Sequence, residues 1–364
     1  MASRIERVLD ELAGEGVEAL VVTKGSDIRY LTGFTGEYGP AVLVASRAGC
    51  VFVTDGRFEA QAAAEVGDVA EVRIVKRWGS EPANYFTCTG DVLRERGLAS
   101  AGVVAADLSL ADYEDLAAHA TGVELRRVAD HVARVRMVKD AGELELIRRA
   151  CQISMRSFYA LLDFIRPGVT ELEVANELER QFRAHGAQGS CFDTIVASGP
   201  DNGACPHSTA GARRLEEGDF VTIDFGCSWQ GYCSDITRTL VLGHARDERL
   251  YDIWNVVQAA KDLGASMLRP GLSFQELSAA VIGYITDHGY TMPHSVGHGF
   301  GIDIHEEPFL GRRDDLRERT GMVHTVEPGI YIPGVGGVRQ EDDYLITEDG
   351  CERLTYITDH LIEL

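Results

Sequence analysis

The chain contains a copy of part of itself. "RPGVTELEVANELERQFRAHG" begins at Arg166 and "RPGLSFQELSAAVIGYITDHG" at Arg269. Each reads as a turn followed by an amphipathic helix ending in His-Gly. "PHS" follows the first copy at 206–208 and the second at 293–295. Next, "GDFVTIDFG" (218–226) matches "GMVHTVEPG" (321–329). In both, a glycine is followed six residues later by an acid at the end of a β-rich run, Asp224 and Glu327. Each half then supplies a second acid, Asp235 in "GYCSDITRT" and Glu341 in "GGVRQEDDYLIT". Four matches in one order predict two similar α/β halves, related by a pseudo-twofold axis and sharing one central sheet.

Upstream of the repeat, helical patterns at 3–14, 57–66 and 109–119 alternate with β-rich runs at 18–23, 41–46, 50–55 and 102–107. That alternation predicts a separate α/β domain with its own sheet. The segment 135–162 reads as one long helix, with Asp140 and Glu143 at capping-box spacing. The boundary is therefore expected near residue 135, giving domains 1–134 and 135–364 in an α/β protein. A chain of 364 residues suits two domains.

The net charge of −22 repels phosphate backbones and argues against a nucleic-acid partner. No apolar run approaches membrane length. The first residues, "MASRIERVLDELAGEG", lack the apolar core of a signal peptide. Eight cysteines form no C-x-x-C pair, which predicts reduced thiols in a cytoplasmic protein.

The repeated acids carry the chemistry. Asp224 lies among Val221, Ile223 and Phe225, and Glu327 among Val323, Val326 and Ile330. Carboxylates buried in such runs are costly unless paired or metal-bound. Arg238 and Arg339 lie nearby, so a salt-bridged core is the structural alternative. Four like charges at one pseudo-symmetric centre, however, disfavour ionisation unless cations hold them. Two divalent ions fit such a set. A carboxylate-rich set with one imidazole favours Mn²⁺, with Co²⁺, Zn²⁺ or Fe²⁺ also compatible, and hydrolysis is the chemistry that follows. Thr237 shares a strand face with Asp235, where it either orients a ligand or is an ordinary β-branched residue. His207 and His294 occupy equivalent places in the halves, whereas His298 and His305 have no counterpart in the first. The residues alone leave open which histidine binds metal and which moves protons.

These motifs resemble the proline-specific metallopeptidases of the pita-bread fold, Xaa-Pro aminopeptidase and Xaa-Pro dipeptidase (prolidase). "IRYLTGFTG" (28–36) and "TDGRF" (54–58) resemble the creatinase/prolidase N-terminal domain that precedes the catalytic domain in this family. The resemblance implies that Asp224, Asp235, His298, Glu327 and Glu341 hold a dinuclear centre, commonly of Mn²⁺. Asp224 would chelate one ion, Asp235 and Glu341 would bridge the pair, and His298 and Glu327 would complete the first ion's shell. Glu327 would also serve as general base. His207 would approach the scissile region, and His294 and His305 would flank the peptide carbonyl. Arg339 would bind a substrate carboxylate or, preferably, brace Glu341. The implied substrates are short peptides with proline in second position, and the implied assembly is a homodimer.

Rival readings meet specific features. Methionine aminopeptidases resemble the C-terminal half alone, but this chain carries a long N-terminal domain. Creatinase-like hydrolysis without metal does not need all five ligand positions, and all five are present. A non-catalytic peptide-binding relative would typically lose some of them. Within the proline-specific branch, Xaa-Pro aminopeptidase is the expectation and Xaa-Pro dipeptidase the alternative.

Overall fold

The computed structural model describes residues 3–36, 41–76, 84–311 and 316–364. The chain divides into two compact units, Met1–Arg136 and Met137–Leu364.

Among the described residues of the first unit, six α-helices accompany one six-stranded sheet. The strands are β1 (Ala19–Val22), β2 (Val42–Ser46), β3 (Gly49–Asp55), β4 (Glu71–Val75), β5 (Ser100–Val103) and β6 (Glu124–Arg127), ordered β4-β3-β2-β1-β5-β6. The β1–β2 and β2–β3 pairs are antiparallel, and β4, β5 and β6 join in parallel. The helices are α1 (Arg4–Leu12), α2 (Gly25–Thr32), α3 (Glu59–Glu65), α4 (Tyr85–Glu95), α5 (Leu110–His119) and α6 (His131–Arg136). The run expected at 102–107 is displaced to Ser100–Val103. Only those residues find partners on β1 and β6, and the chain then turns with Asp107 N–H bonded to the Val104 carbonyl.

The second unit opens with α7 (Ala141–Leu162) and α8 (Glu171–Ala184). The single helix expected over 135–162 is interrupted: α6 ends at Arg136 and α7 begins at Ala141. Tertiary pairing causes the break. Val138 bridges Met322, the Lys139 N–H bonds the Gly321 carbonyl, and buried Lys139 Nζ meets Glu306 Oε1 at 2.9 Å. Asp140 is extended and restarts the helix through its capping box with Glu143.

The first half continues with β7 (Gly189–Ser190), β8 (Ile195–Ser198), α9 (Gly199–Asn202), β9 (Phe220–Phe225), β10 (Cys227–Trp229), β11 (Tyr232–Cys233) and β12 (Ile236–Val241). The second half has α10 (Arg249–Met267), α11 (Phe274–Asp287), β13 (His298–Gly299), β14 (Glu306–Phe309), β15 (Val323–Val326), β16 (Gly329–Ile332), β17 (Gly336–Arg339), β18 (Asp342–Ile346) and β19 (Cys351–Arg353).

The repeat persists in three dimensions. Helices α8 and α11 both start with capping boxes, Thr170 with Glu173 and Ser273 with Glu276. Thr170 bridges Arg214 as Ser273 bridges Arg317. Gly218 and Gly321 both adopt left-handed φ, 84° and 88°, a conformation that favours glycine. Their N–H groups bond equivalent carbonyls, Leu242 and Ile346.

The halves do not share one sheet, as the repeat had suggested. The first builds β12-β9-β8 and the second β14-β13-β15-β18-β19. At the seam a side chain replaces the backbone ladder. Thr239 Oγ1 accepts from the Arg339 N–H at 3.1 Å and donates to the Arg339 carbonyl at 3.0 Å. One backbone bond remains beside it, from the Glu341 N–H to the Thr237 carbonyl.

Each half has its own apolar core. In the first, Phe158 stacks on Phe225 with centroids 5.1 Å apart, and Val221 and Ile223 join them. In the second, Phe274, Leu277 and Val281 of α11 pack with Val326. Ions tie the halves together. Asp342 Oδ1 accepts from Arg238 at 2.6 Å and from Thr355 Oγ1 at 2.9 Å, while Oδ2 meets Lys261 and Arg353. Asp342, Arg238 and Lys261 are all buried. Asp342→Ala strands these cations and is expected to destabilise the protein by about 3–5 kcal/mol in urea unfolding. A loss below about 1 kcal/mol would contradict this role for Asp342.

Candidate metal centre

The seam between the halves opens into a cavity of about 590 Å³. All nine residues that the family resemblance assigned to the site line it: Asp224, Asp235, Glu327, Glu341 and Arg339, with His207, His294, His298 and His305.

The strands aim the acids. Asp224 is the next-to-last residue of β9, flanked by Ile223 and Phe225, which belong to the core of the first half. By strand alternation its own side chain points the other way. Asp235 stands immediately before β12, so Thr237 pairs directly with Asp224 in the ladder. Glu327 follows β15, its N–H held by the Val296 carbonyl at 2.8 Å. Glu341 lies between β17 and β18. Potential ligand atoms of Asp235, His298 and Glu341 all lie within 4.8 Å of one another. His298 Nε2 is 3.4 Å from Asp235 Oδ2 and 3.6 Å from Glu327 Oε1.

The alternative of a salt-bridged core is tested by where the arginines go. Arg238 serves Asp342 and the Glu341 carbonyl. Arg339 donates from Nη2 to Asp224 and from Nη1 to Tyr331 (2.8 Å) and the Pro206 carbonyl (3.1 Å). It reaches Glu341 only through Thr237, whose Oγ1 accepts from Arg339 Nε at 3.2 Å and donates to Glu341 Oε2 at 2.6 Å. Among the described residues, no Lys or Arg forms an ion pair with Asp235, Glu327 or Glu341.

The electrostatics follow. Burial, reinforced by Glu341 and Asp224, pushes the Asp235 carboxyl well above the usual range. Burial, with Glu327 and Asp224, does the same to Glu341 against the Thr237 hydrogen bond. Burial raises Glu327 to about 8, with Asp224 adding and Arg339 opposing. Asp224 Oδ1 is buried with no hydrogen-bond partner. Three mutually repelling carboxylates, an orphaned carboxylate oxygen and an imidazole nitrogen facing them form a donor set for hard or borderline divalent cations. The His298 ring fits as well, since Nδ1 lies 3.2 Å from the Gly299 carbonyl and leaves Nε2 toward the acids. Burial pushes its pKa down to about 3, so the ring is neutral and able to ligate.

The other histidines differ. His294 Nδ1 lies 2.9 Å from the Ser295 carbonyl, which can only accept, so Nε2 receives the Tyr331 hydroxyl proton at 3.0 Å. His207 and His305 both stand exposed in the cavity wall, and the His305 ring centroid lies 4.3 Å from that of His298. Neither makes a hydrogen bond to the described residues, so their ring nitrogens are available to a ligand. Sequence reasoning overlooked Tyr331, which links His294 to Arg339. Its only signal is its place just after "EPG", and burial pushes its hydroxyl up to about 12.

Comparisons with known proteins agree with this architecture. A model of metallopeptidase family M24 matches residues 145–348, and one of the creatinase/prolidase N-terminal domain matches 4–138. An uncharacterised peptidase of Bacillus subtilis is 38% identical, over 99% of this chain and 100% of that protein. Among solved structures, an Xaa-Pro dipeptidase from Bacillus anthracis matches with a TM-score of 0.92 at 38% identity, over 99% of both chains. An X-Pro aminopeptidase from Thermotoga maritima matches with a TM-score of 0.88 at 32% identity, over 100% of both chains. With ligand-type residues gathered at the seam of two repeated halves, and a creatinase-type domain ahead of them, the chain belongs to metallopeptidase family M24.

Proposed function

We propose that this metallo-exopeptidase is an Xaa-Pro aminopeptidase, hydrolysing the bond between an N-terminal residue and proline. One observation carries the choice within the family. Among the described residues lining the cavity, Arg339 is the sole Lys or Arg, and its guanidinium is already engaged by Asp224, Tyr331, Thr237 and Pro206. A dipeptidase must hold the free carboxylate of proline beside the scissile bond, whereas an aminopeptidase meets a neutral amide there. Xaa-Pro dipeptidase is the second reading, favoured by the name of the Bacillus anthracis relative.

The family implies divalent metal ions. In this reading Asp224, Asp235, His298, Glu327 and Glu341 hold two of them, with Mn²⁺ preferred for so oxygen-rich a set. When bound, such ions supply Lewis acidity and a water activated near neutral pH. Glu327 takes the proton from the attacking water and passes it to the leaving imide nitrogen of proline, which has no N–H of its own. His207 and His305 donate to the carbonyl oxygen as its charge grows. His294 is committed to Ser295 and Tyr331, so it meets substrate with its ring rather than a free nitrogen. Phe192, Ile195, Ile304 and Phe309 offer an apolar wall for the pyrrolidine ring. Residues 135–364 carry this chemistry, with 1–134 as a separate domain. The eight free thiols suit a cytoplasmic protein. The family resemblance favours a homodimer.

Two experiments test this reading. With Mn²⁺ present, an Xaa-Pro-Xaa tripeptide is expected to exceed the matching Xaa-Pro dipeptide in kcat/KM by about tenfold or more. Cleavage of the dipeptide alone would make the protein a dipeptidase. Glu327→Gln is expected to lower kcat by about 10²–10⁴-fold while Mn²⁺ content falls far less. A variant turning over near the wild-type rate would remove Glu327 from the role of base.

A further inference from the structure

The two acids nearest the seam are held reciprocally. Thr237, two residues after Asp235, crosses to the second half and donates to Glu341 Oε2 at 2.6 Å. Asp343, two residues after Glu341, crosses in the opposite direction, and its Oδ2 accepts the backbone N–H of Asp235 at 3.1 Å. The second crossing is the unexpected one, because a carboxyl group is a costly way to satisfy one backbone amide. Asp343 is wholly buried. Its Oδ2 also accepts from Cys151 Sγ at 3.4 Å, its own N–H goes to Thr355 Oγ1 at 3.0 Å, and its Oδ1 has no partner. Cys151 belongs to α7 and Thr355 to the C-terminal segment, so three parts of the second unit converge on this side chain.

We propose that Asp343 is a positioning residue for the metal centre: it fixes the backbone of Asp235, and hence the distance between Asp235 and Glu341, by accepting the Asp235 N–H across the seam. This rests on the reading of Asp235 and Glu341 as metal ligands. Asp235 stands just ahead of β12, where no strand partner holds its amide, since the β9–β12 ladder begins at Ile236. Without the Asp343 oxygen that N–H would be buried and unpaired, and the Asp235 side chain would lose its fixed origin. Asp343 is not among the residues that line the cavity. It acts through Asp235, as Thr237 acts on Glu341.

The test compares wild-type protein with Asp343→Asn, Asp343→Leu and Asp343→Ser. Asparagine keeps an acceptor of the same reach. Leucine keeps volume without an acceptor, and serine is too short to reach. The readouts are Mn²⁺ affinity by equilibrium dialysis and the visible absorption of the Co²⁺-loaded protein, with thermal melting of the metal-free protein alongside. Asp343→Asn is expected to bind Mn²⁺ within a few-fold of wild type and to keep the Co²⁺ spectrum. The leucine and serine variants are expected to bind about 10- to 100-fold more weakly, with an altered spectrum. Wild-type affinity in any folded variant without the acceptor overturns the proposal, as does an equal loss in Asp343→Asn. Should Asp343→Leu fail to fold, Asp343→Ser decides. Wild-type protein that takes up neither ion would instead remove the metal-site reading, and this proposal with it.

Discussion

Like charges brought together in a buried site are the constraint on which this molecule turns. Two neighbouring acids meet opposite fates at the seam. Asp342 is wholly buried, yet Arg238, Lys261 and Arg353 surround it and outweigh the cost of burial, holding its carboxyl below the usual range. Glu341, one residue earlier, has no such company and is driven well above it. Asp342 ties the two halves together as a finished ion cluster. Glu341, Asp235 and Glu327 form an unfinished one, and in the proposed reading the charge they lack is what divalent cations would supply. The fold keeps cations available for structure close by and, among the described residues, withholds them from Asp235, Glu327 and Glu341.

The pseudo-twofold explains how such a cluster is built. Each half contributes an acid at the end of a strand, Asp224 within β9 and Glu327 just after β15, and a second acid nearby, and each half alone would bury only a pair. Superposing the acids requires the seam to be held tightly. The Arg238–Asp342 cluster, the Thr239 hydroxyl and the single backbone bond from Glu341 to Thr237 provide that hold. Arg339 adds a polar frame: it donates to Asp224 and to the Tyr331 hydroxyl, and through Tyr331 it places His294 at the cavity wall.

Much of this was legible because it is local or repeated. The Asp140–Glu143 cap, the paired Arg-Pro-Gly turns and the spacing from Gly218 to Asp224 and Gly321 to Glu327 are all properties of short segments. The failures come from partners distant in sequence. Residues 137–139 carry a helical pattern, but Val138 and Lys139 are claimed by Met322 and Gly321. One central sheet was expected, but Thr239 takes the hydrogen bonds that a continuous ladder would need. Arg339 was expected on a substrate carboxylate or on Glu341; its end groups go to Asp224, Tyr331 and Pro206, and it reaches Glu341 through Thr237, a relay that spacing does not reveal. Nothing in the sequence around Asp343 distinguishes it from the acid beside it, and only the strand crossing sets their roles apart.

In the proposed reading, the acids of the cavity take two divalent cations. The most direct measurement is calorimetric titration of chelator-stripped protein with Mn²⁺, paired with its melting temperature. Two ions are expected to bind per chain, and the melting temperature is expected to rise as they bind, because binding relieves the repulsion among buried carboxylates. A protein that binds no Mn²⁺, or binds it without any gain in melting temperature, would contradict it.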